Sequence, residues 1–153
     1  MKWLQKHTNL IIGITSNLLV LLFLYAAISK LIDYDHFKWQ LRQSPFISSI
    51  ADLLSWLIPT IEIGLSIALI SNKYRLISLL VSLTLLISFT TYLIVVLFSS
   101  DNIPCSCGGV LTSLGWKNHI FFNLTFTLVN IIGILFLKHK KSIAQLQGKT
   151  ENL

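Results

Sequence analysis

Four apolar runs divide the chain: Leu10 to Ile32, Ala51 to Ile70, Leu76 to Phe98 and Ile120 to Leu137. Roughly 20 apolar residues cross a hydrocarbon core as a helix, and lipid offers the backbone no other hydrogen-bond partners, so each run is expected to be helical. The polar stretch Asp33 to Pro45 between the first two runs has a helical period of its own. Phe37 and Leu41 lie four apart, Asp35 is placed to cap the start, Trp39 suits a membrane interface and Pro45 ends the segment. Ser49 with Asp52 three residues on resembles a capping box at the start of the second run. The spacing predicts an all-α fold, a four-transmembrane-helix bundle spanning 1–153 as a single domain. A short interfacial helix joins its first two spans, and a basic tail occupies 138–153.

Composition sharpens this picture. Hydrophobic residues make up 54% of the chain and charged residues 12%, too few polar groups to cover a soluble domain of 153 residues. The net charge of +6 does not point to nucleic acid, because the basic side chains lie in termini and short connections rather than on one face. They report orientation instead. Lys2, Lys6, Lys73, Arg75, Lys138, Lys140, Lys141 and Lys149 fall on one side of the expected bilayer, and Lys30, Lys38, Arg42 and Lys117 on the other. By the positive-inside rule both termini face the cytoplasm, and in a bacterial inner membrane the connection between the third and fourth spans faces the periplasm. The first run follows Lys2 and Lys6 and contains Ala26 and Ala27, as a signal peptide would, but it exceeds an ordinary h-region and keeps Lys30 just past its end.

Several polar residues interrupt the apolar runs. Glu62 lies roughly 18 Å along the second span at 1.5 Å per residue, near mid-bilayer. An ionisable group there costs on the order of 3 kcal/mol and marks a candidate function. Ser55, Pro59, Glu62 and Ser66 share a helical face that should point into the bundle. Glu62 then either bonds to another helix and holds the bundle together or handles protons. Lys30 is expected to snorkel to the interface about two turns above Glu62, which argues against a direct bridge. In the third span Thr84, Ser88 and Tyr92, with Thr91 beside them, are expected to pack closely or to bond back to the backbone. In the fourth, His119, Asn123, Thr127 and Asn130 form one polar stripe, suited either to joining helices or to lining a path for protons or a bound headgroup. The tail has no apolar period and suits anchoring against anionic lipid.

The connection Ile103-Pro104-Cys105-Ser106-Cys107-Gly108-Gly109-Val110 holds both cysteines. A C-x-C pair can close only a very small disulfide ring, and strain makes such a bond easy to reduce, so the pair suits exchange better than stapling. Gly108 and Gly109 clear the backbone beside the sulfurs for an approaching protein, and Pro104 fixes the other side. His119, with Trp116, follows closely enough to lower a thiol pKa or relay its proton. Two other readings of the residues stay open. Two thiolates and an imidazole could hold Cu(I) or Zn(II), although a fourth ligand is lacking, or the pair could be inert.

Taken in order, Ser29-Lys30-Leu31 with Phe37, then Pro59 and Glu62, then Phe89 to Tyr92, and finally Pro104-Cys105-Ser106-Cys107-Gly108-Gly109 with Trp116, His119 and Asn123 resemble the MauE/DoxX group of four-helix membrane proteins along nearly the whole chain. The resemblance implies a redox-associated inner-membrane protein. In its MauE branch, named for methylamine utilisation, such a protein supports maturation of a disulfide-rich periplasmic enzyme subunit beside a thioredoxin-like partner. Membrane thiol oxidases of the DsbB and vitamin K epoxide reductase kind carry two cysteine pairs, whereas this chain carries one, so a quinone would be reached only through a partner. The leading expectation is a membrane thiol–disulfide relay or accessory, a component of a thiol–disulfide oxidoreductase system. The rival is a non-catalytic scaffold or assembly subunit with a structural polar core. A small transporter using Glu62 would need an oligomer to form its path.

Overall fold

The computed structural model describes residues 2–44, 46–99 and 115–151, with side chains described for 7–44, 46–98 and 118–143. The described residues form five α-helices: α1 (Lys2–Ile32), α2 (Tyr34–Gln43), α3 (Ala51–Ile70), α4 (Arg75–Ser99) and α5 (Gly115–Glu151). A single 3₁₀ turn, Ser48–Ile50, leads into α3. Four segments are long and apolar enough to cross a membrane: His7–Ile32, Ser48–Ile70, Arg75–Phe98 and Asn118–Ile143. At 23 to 26 residues each, they reach roughly 35 Å or more. Between 28% and 33% of each apolar window is buried within the bundle, and large side chains such as Leu21, Trp56 and Phe121 point outward. A solvated monomer would not leave so much apolar surface open, whereas lipid covers it. The protein is an integral membrane protein.

Hydroxyl groups in these helices follow the same constraint. Thr60, Thr84, Thr91 and Thr125 face outward, and each donates to the carbonyl four residues earlier, at 2.7 to 3.1 Å. The donor that lipid could not satisfy is satisfied inside the helix. Ser66, Ser78, Thr90 and Thr127 do likewise on inner or half-buried faces.

α1 packs along α3 on one side and α5 on the other, α4 closes the ring against α5 and α3, and α3 and α5 occupy opposite corners. Gly133 of α5 lies so close to α1 that a Cβ there would meet Thr15 Cγ2 at 2.5 Å. This contact brings the middle of α5 beside the first half of α1. An apolar core of Ile12, Leu19, Leu65, Leu69, Leu79, Ile134 and Leu137, continued by Phe23 and Leu86, fills that part of the ring.

At the other end, α2 lies beside the start of α3. Its buried Phe37 and Leu41 pack with Ala51, Ile47, Leu54 and Ile58, while Trp39, Arg42 and Gln43 stay exposed. Neither expected cap forms. Asp33 rather than Asp35 precedes α2 and makes no side-chain cap bond. Ile50 precedes α3, and Asp52 turns instead to Arg42 at 2.8 Å and Lys38 at 3.1 Å on α2. Two cations across the seam outweigh one backbone N–H as partners for a carboxylate. Pro45 lies outside the described residues.

The terminal helices run further than their apolar cores. α1 begins at Lys2, and α5 continues past Leu137 through Glu151. The added segments hold Lys, Gln and Ala and no proline, so nothing in them breaks a helix already nucleated by an apolar span.

Candidate functional site

The ionisable residues of α1 and α3 meet. Lys30 Nζ donates to Glu62 Oε1 at 2.7 Å and Oε2 at 3.1 Å, and to its own helix at Ala26 O, 3.2 Å away. The Lys30 and Glu62 side chains are 5% and 13% exposed, and the Phe37 ring lies 5.8 Å from the ammonium. This corrects two expectations, that Lys30 snorkels away and that Glu62 lies too deep for it. The cause is α2. α1 ends two residues after Lys30, whereas α3 has eleven residues ahead of Glu62, so the start of α3 projects beyond the end of α1 and α2 occupies the step. Tyr34, at the start of α2, ties that step down. Ser55 Oγ donates to Asp52 O, which leaves the Tyr34 hydroxyl to donate to Ser55 Oγ at 2.8 Å, and the Tyr34 ring packs 5.2 Å from that of Trp56. Ser55, Pro59 and Ser66 are buried on the same face as Glu62.

The polar side chains of α5 also point inward. His119, Asn123 and Asn130 are buried and Thr127 is half-buried. They divide by depth. Asn130 donates through Nδ2 to Leu79 O at 3.2 Å and Ser82 Oγ at 2.8 Å, clamping α5 to α4. His119 packs its ring 5.9 Å from Phe89, and neither His119 Nδ1 nor Asn123 Nδ2 meets a hydrogen-bond partner among the described residues.

Lys30, Glu62, His119 and Asn123 surround one cavity of about 360 Å³, bounded by all five helices. Most of its wall is apolar, including Phe23, Phe37, Ile58, Phe89 and Phe122, with Ser88 and Tyr92 contributed by α4. In α4, Thr84 and Thr91 lie outside it and bond to their own backbone, while the buried hydroxyls are those of Ser78, Ser82 and Thr90. The α1 residues of the wall, Leu22, Phe23 and Ala26, did not stand out in the sequence, yet they recur on the face of Lys30 at helical spacing. Cys105 and Cys107, with Pro104, Gly108 and Gly109, lie outside the described residues, as does the Trp116 side chain.

The family model for methylamine utilisation protein MauE matches residues 8–136, which covers the second and third spans, nearly all of the first, most of the fourth and the connection carrying the cysteines. The chain belongs to the MauE family. Neither the curated proteins nor the solved structures give a match to it. For this MauE-family chain the matched region contains the Lys30–Glu62 pair, the cavity and the α5 polar stripe, and stops just before the basic run from Lys138.

Proposed function

We propose that this MauE-family protein is a membrane thiol–disulfide relay or accessory that acts with a thioredoxin-like partner in the maturation of disulfide-containing proteins. Cys105 and Cys107 carry the exchange. A thiolate of one protein attacks the disulfide of the other, a mixed disulfide forms, and the second thiol resolves it, so that one disulfide is made for each one broken. His119, one turn into α5, takes or returns the thiol proton. The distribution of Lys and Arg supports an inner-membrane orientation with both termini cytoplasmic and the cysteines periplasmic, an oxidising space in which such exchange proceeds.

The observation that carries this reading is the position of the chain's two cysteines, as C-x-C between Pro104 and Gly108-Gly109, in the connection between α4 and α5 of a MauE-family membrane protein. Single-cysteine variants test it. Cys105→Ser or Cys107→Ser should accumulate a mixed disulfide with a partner, and the double variant should shift the partner's redox state. An unchanged redox state, or cysteines unreachable by membrane-impermeant thiol reagents from outside the cell, refutes it.

The Lys30–Glu62 pair and the Asn130 clamp favour a second reading, a scaffold whose polar groups only hold helices together. Under it the double serine variant behaves as the parent, while Glu62→Ala lowers abundance.

A further inference from the structure

The cavity between the five helices carries features beyond the part His119 plays in cysteine exchange. Its volume of about 360 Å³ is more than twice the roughly 150 Å³ that admits a benzene ring in a protein core, and it falls in the range of small-molecule sites. Phenylalanines from four helices supply much of the wall. Beside Phe89 and Phe122 stand His119 and Asn123, 3% and 5% exposed, each with a nitrogen that finds no partner among the described residues. Buried polar atoms are rarely left so, and both belong to residues that line a mostly apolar space.

The charges of the site restrict what can complete them. Lys30 has three N–H groups, and three acceptors meet them, Ala26 O and the two oxygens of Glu62. Among the described residues that line the cavity no cation remains for an anionic head, and the charge of Glu62 is already matched. The unmet capacity is that of an amide and an imidazole, which suits a neutral oxygen.

We propose that the cavity binds a neutral bilayer amphiphile, its oxygen-bearing head hydrogen-bonded to Asn123 and His119 and its apolar body against Phe23, Phe89 and Phe122. Two sources share this chemistry, the ring carbonyls of a lipid quinone and the ester and hydroxyl oxygens of a diacylglycerol. The proposal is independent of the thiols, so binding is unchanged in the Cys105→Ser, Cys107→Ser double variant, and failure of either idea leaves the other standing.

The test is calorimetric titration of the purified full chain in detergent micelles with a decyl-substituted benzoquinone, with dioctanoylglycerol and with decanoate as the anionic control. At least one neutral probe should bind saturably and raise the thermal midpoint. Quinone binding alone identifies the first source, glyceride binding alone the second, and binding of both shows that the head oxygen is what the site reads. His119→Phe and Asn123→Leu should each weaken the neutral probe about tenfold without lowering the unliganded midpoint, since replacing an unpaired buried polar group by an apolar one removes nothing that was bonded. Ala26→Phe, which fills the cavity from α1 and leaves both polar residues in place, should abolish binding. No saturable binding of either neutral probe, tighter binding of decanoate, or parent-like affinity in Asn123→Leu and Ala26→Phe overturns the proposal.

Discussion

Removing one member of the Lys30–Glu62 pair should cost far more stability than removing both. At 2.7 Å and an effective dielectric of 20, two unit charges attract by about 6 kcal/mol, most of which offsets the cost of taking each charge out of water. Lys30→Met keeps the length of the side chain but leaves the Glu62 carboxylate without its cation. Glu62→Met leaves the ammonium with Ala26 O alone. Each single variant should lose about 3–5 kcal/mol, and the double variant, which restores an apolar seam of similar volume, should lie within about 2 kcal/mol of the parent. Unfolding of the four proteins in mixed detergent micelles, followed by circular dichroism, closes the cycle and should give a coupling of about 4 kcal/mol or more. Asp52→Asn is the internal contrast. It removes a carboxylate shared by Arg42 and Lys38 on an exposed seam, and the midpoint should not move. Single variants within about 1 kcal/mol of the parent would refute the reasoning, because the pair would then behave as though water reached it.

Three further substitutions test the packing that frames the site, with the same unfolding assay. Gly133→Ala puts a methyl group where Thr15 Cγ2 stands and should cost about 1–3 kcal/mol, most of it recovered by adding Thr15→Ala; independent, additive losses would show that the contact is not what limits the position. Asn130→Ala removes both bonds to α4 and should cost about 1–2 kcal/mol, more than Ser82→Ala, which leaves the bond to Leu79 O; the reverse order would sink the clamp. Tyr34→Phe keeps the ring against Trp56 but loses the bond to Ser55, for about 1 kcal/mol and a more mobile α2, measured by faster amide exchange at Phe37 and Leu41.

The spans were legible because lipid imposes one rule on every residue between its faces. A run such as Ala51 to Ile70 has no alternative to a helix, and its boundaries recur in α3 without change. The inward direction of Ser55, Glu62 and Ser66, and of His119, Asn123 and Asn130, was legible for a related reason, since period and polarity agree on one face. What the periodicity could not carry was the relative height of neighbouring helices. Lys30 counted from the end of α1 and Glu62 counted from the start of α3 seem to lie at different depths only if both ends are taken as level. The step filled by α2 is a tertiary fact, set by Phe37 and Leu41 packing on Ala51 and Leu54, and no single helix encodes it. The caps failed for the same reason: Asp52 has partners on α2 that a local reading of Ser49 and Asp52 does not contain.

The two ends of the bundle are consequently built on different physics. Around Gly133 and Thr15 the helices touch, and leucine and isoleucine side chains fill the ring, so stability there rests on close packing that tolerates no added methyl group. Around Lys30 and His119 an ion pair and α2 join the helices, and a cavity lies between them beside the small apolar cluster of Phe37, Leu41 and Ala51. A protein concerned only with its own stability gains nothing from opening its centre and burying a lysine, a glutamate, a histidine and an asparagine around the space. The open end is also the one from which α4 and α5 lead into the connection bearing Cys105 and Cys107. Packing at one end thus supplies the rigidity that lets the other keep polar groups and empty volume between its helices.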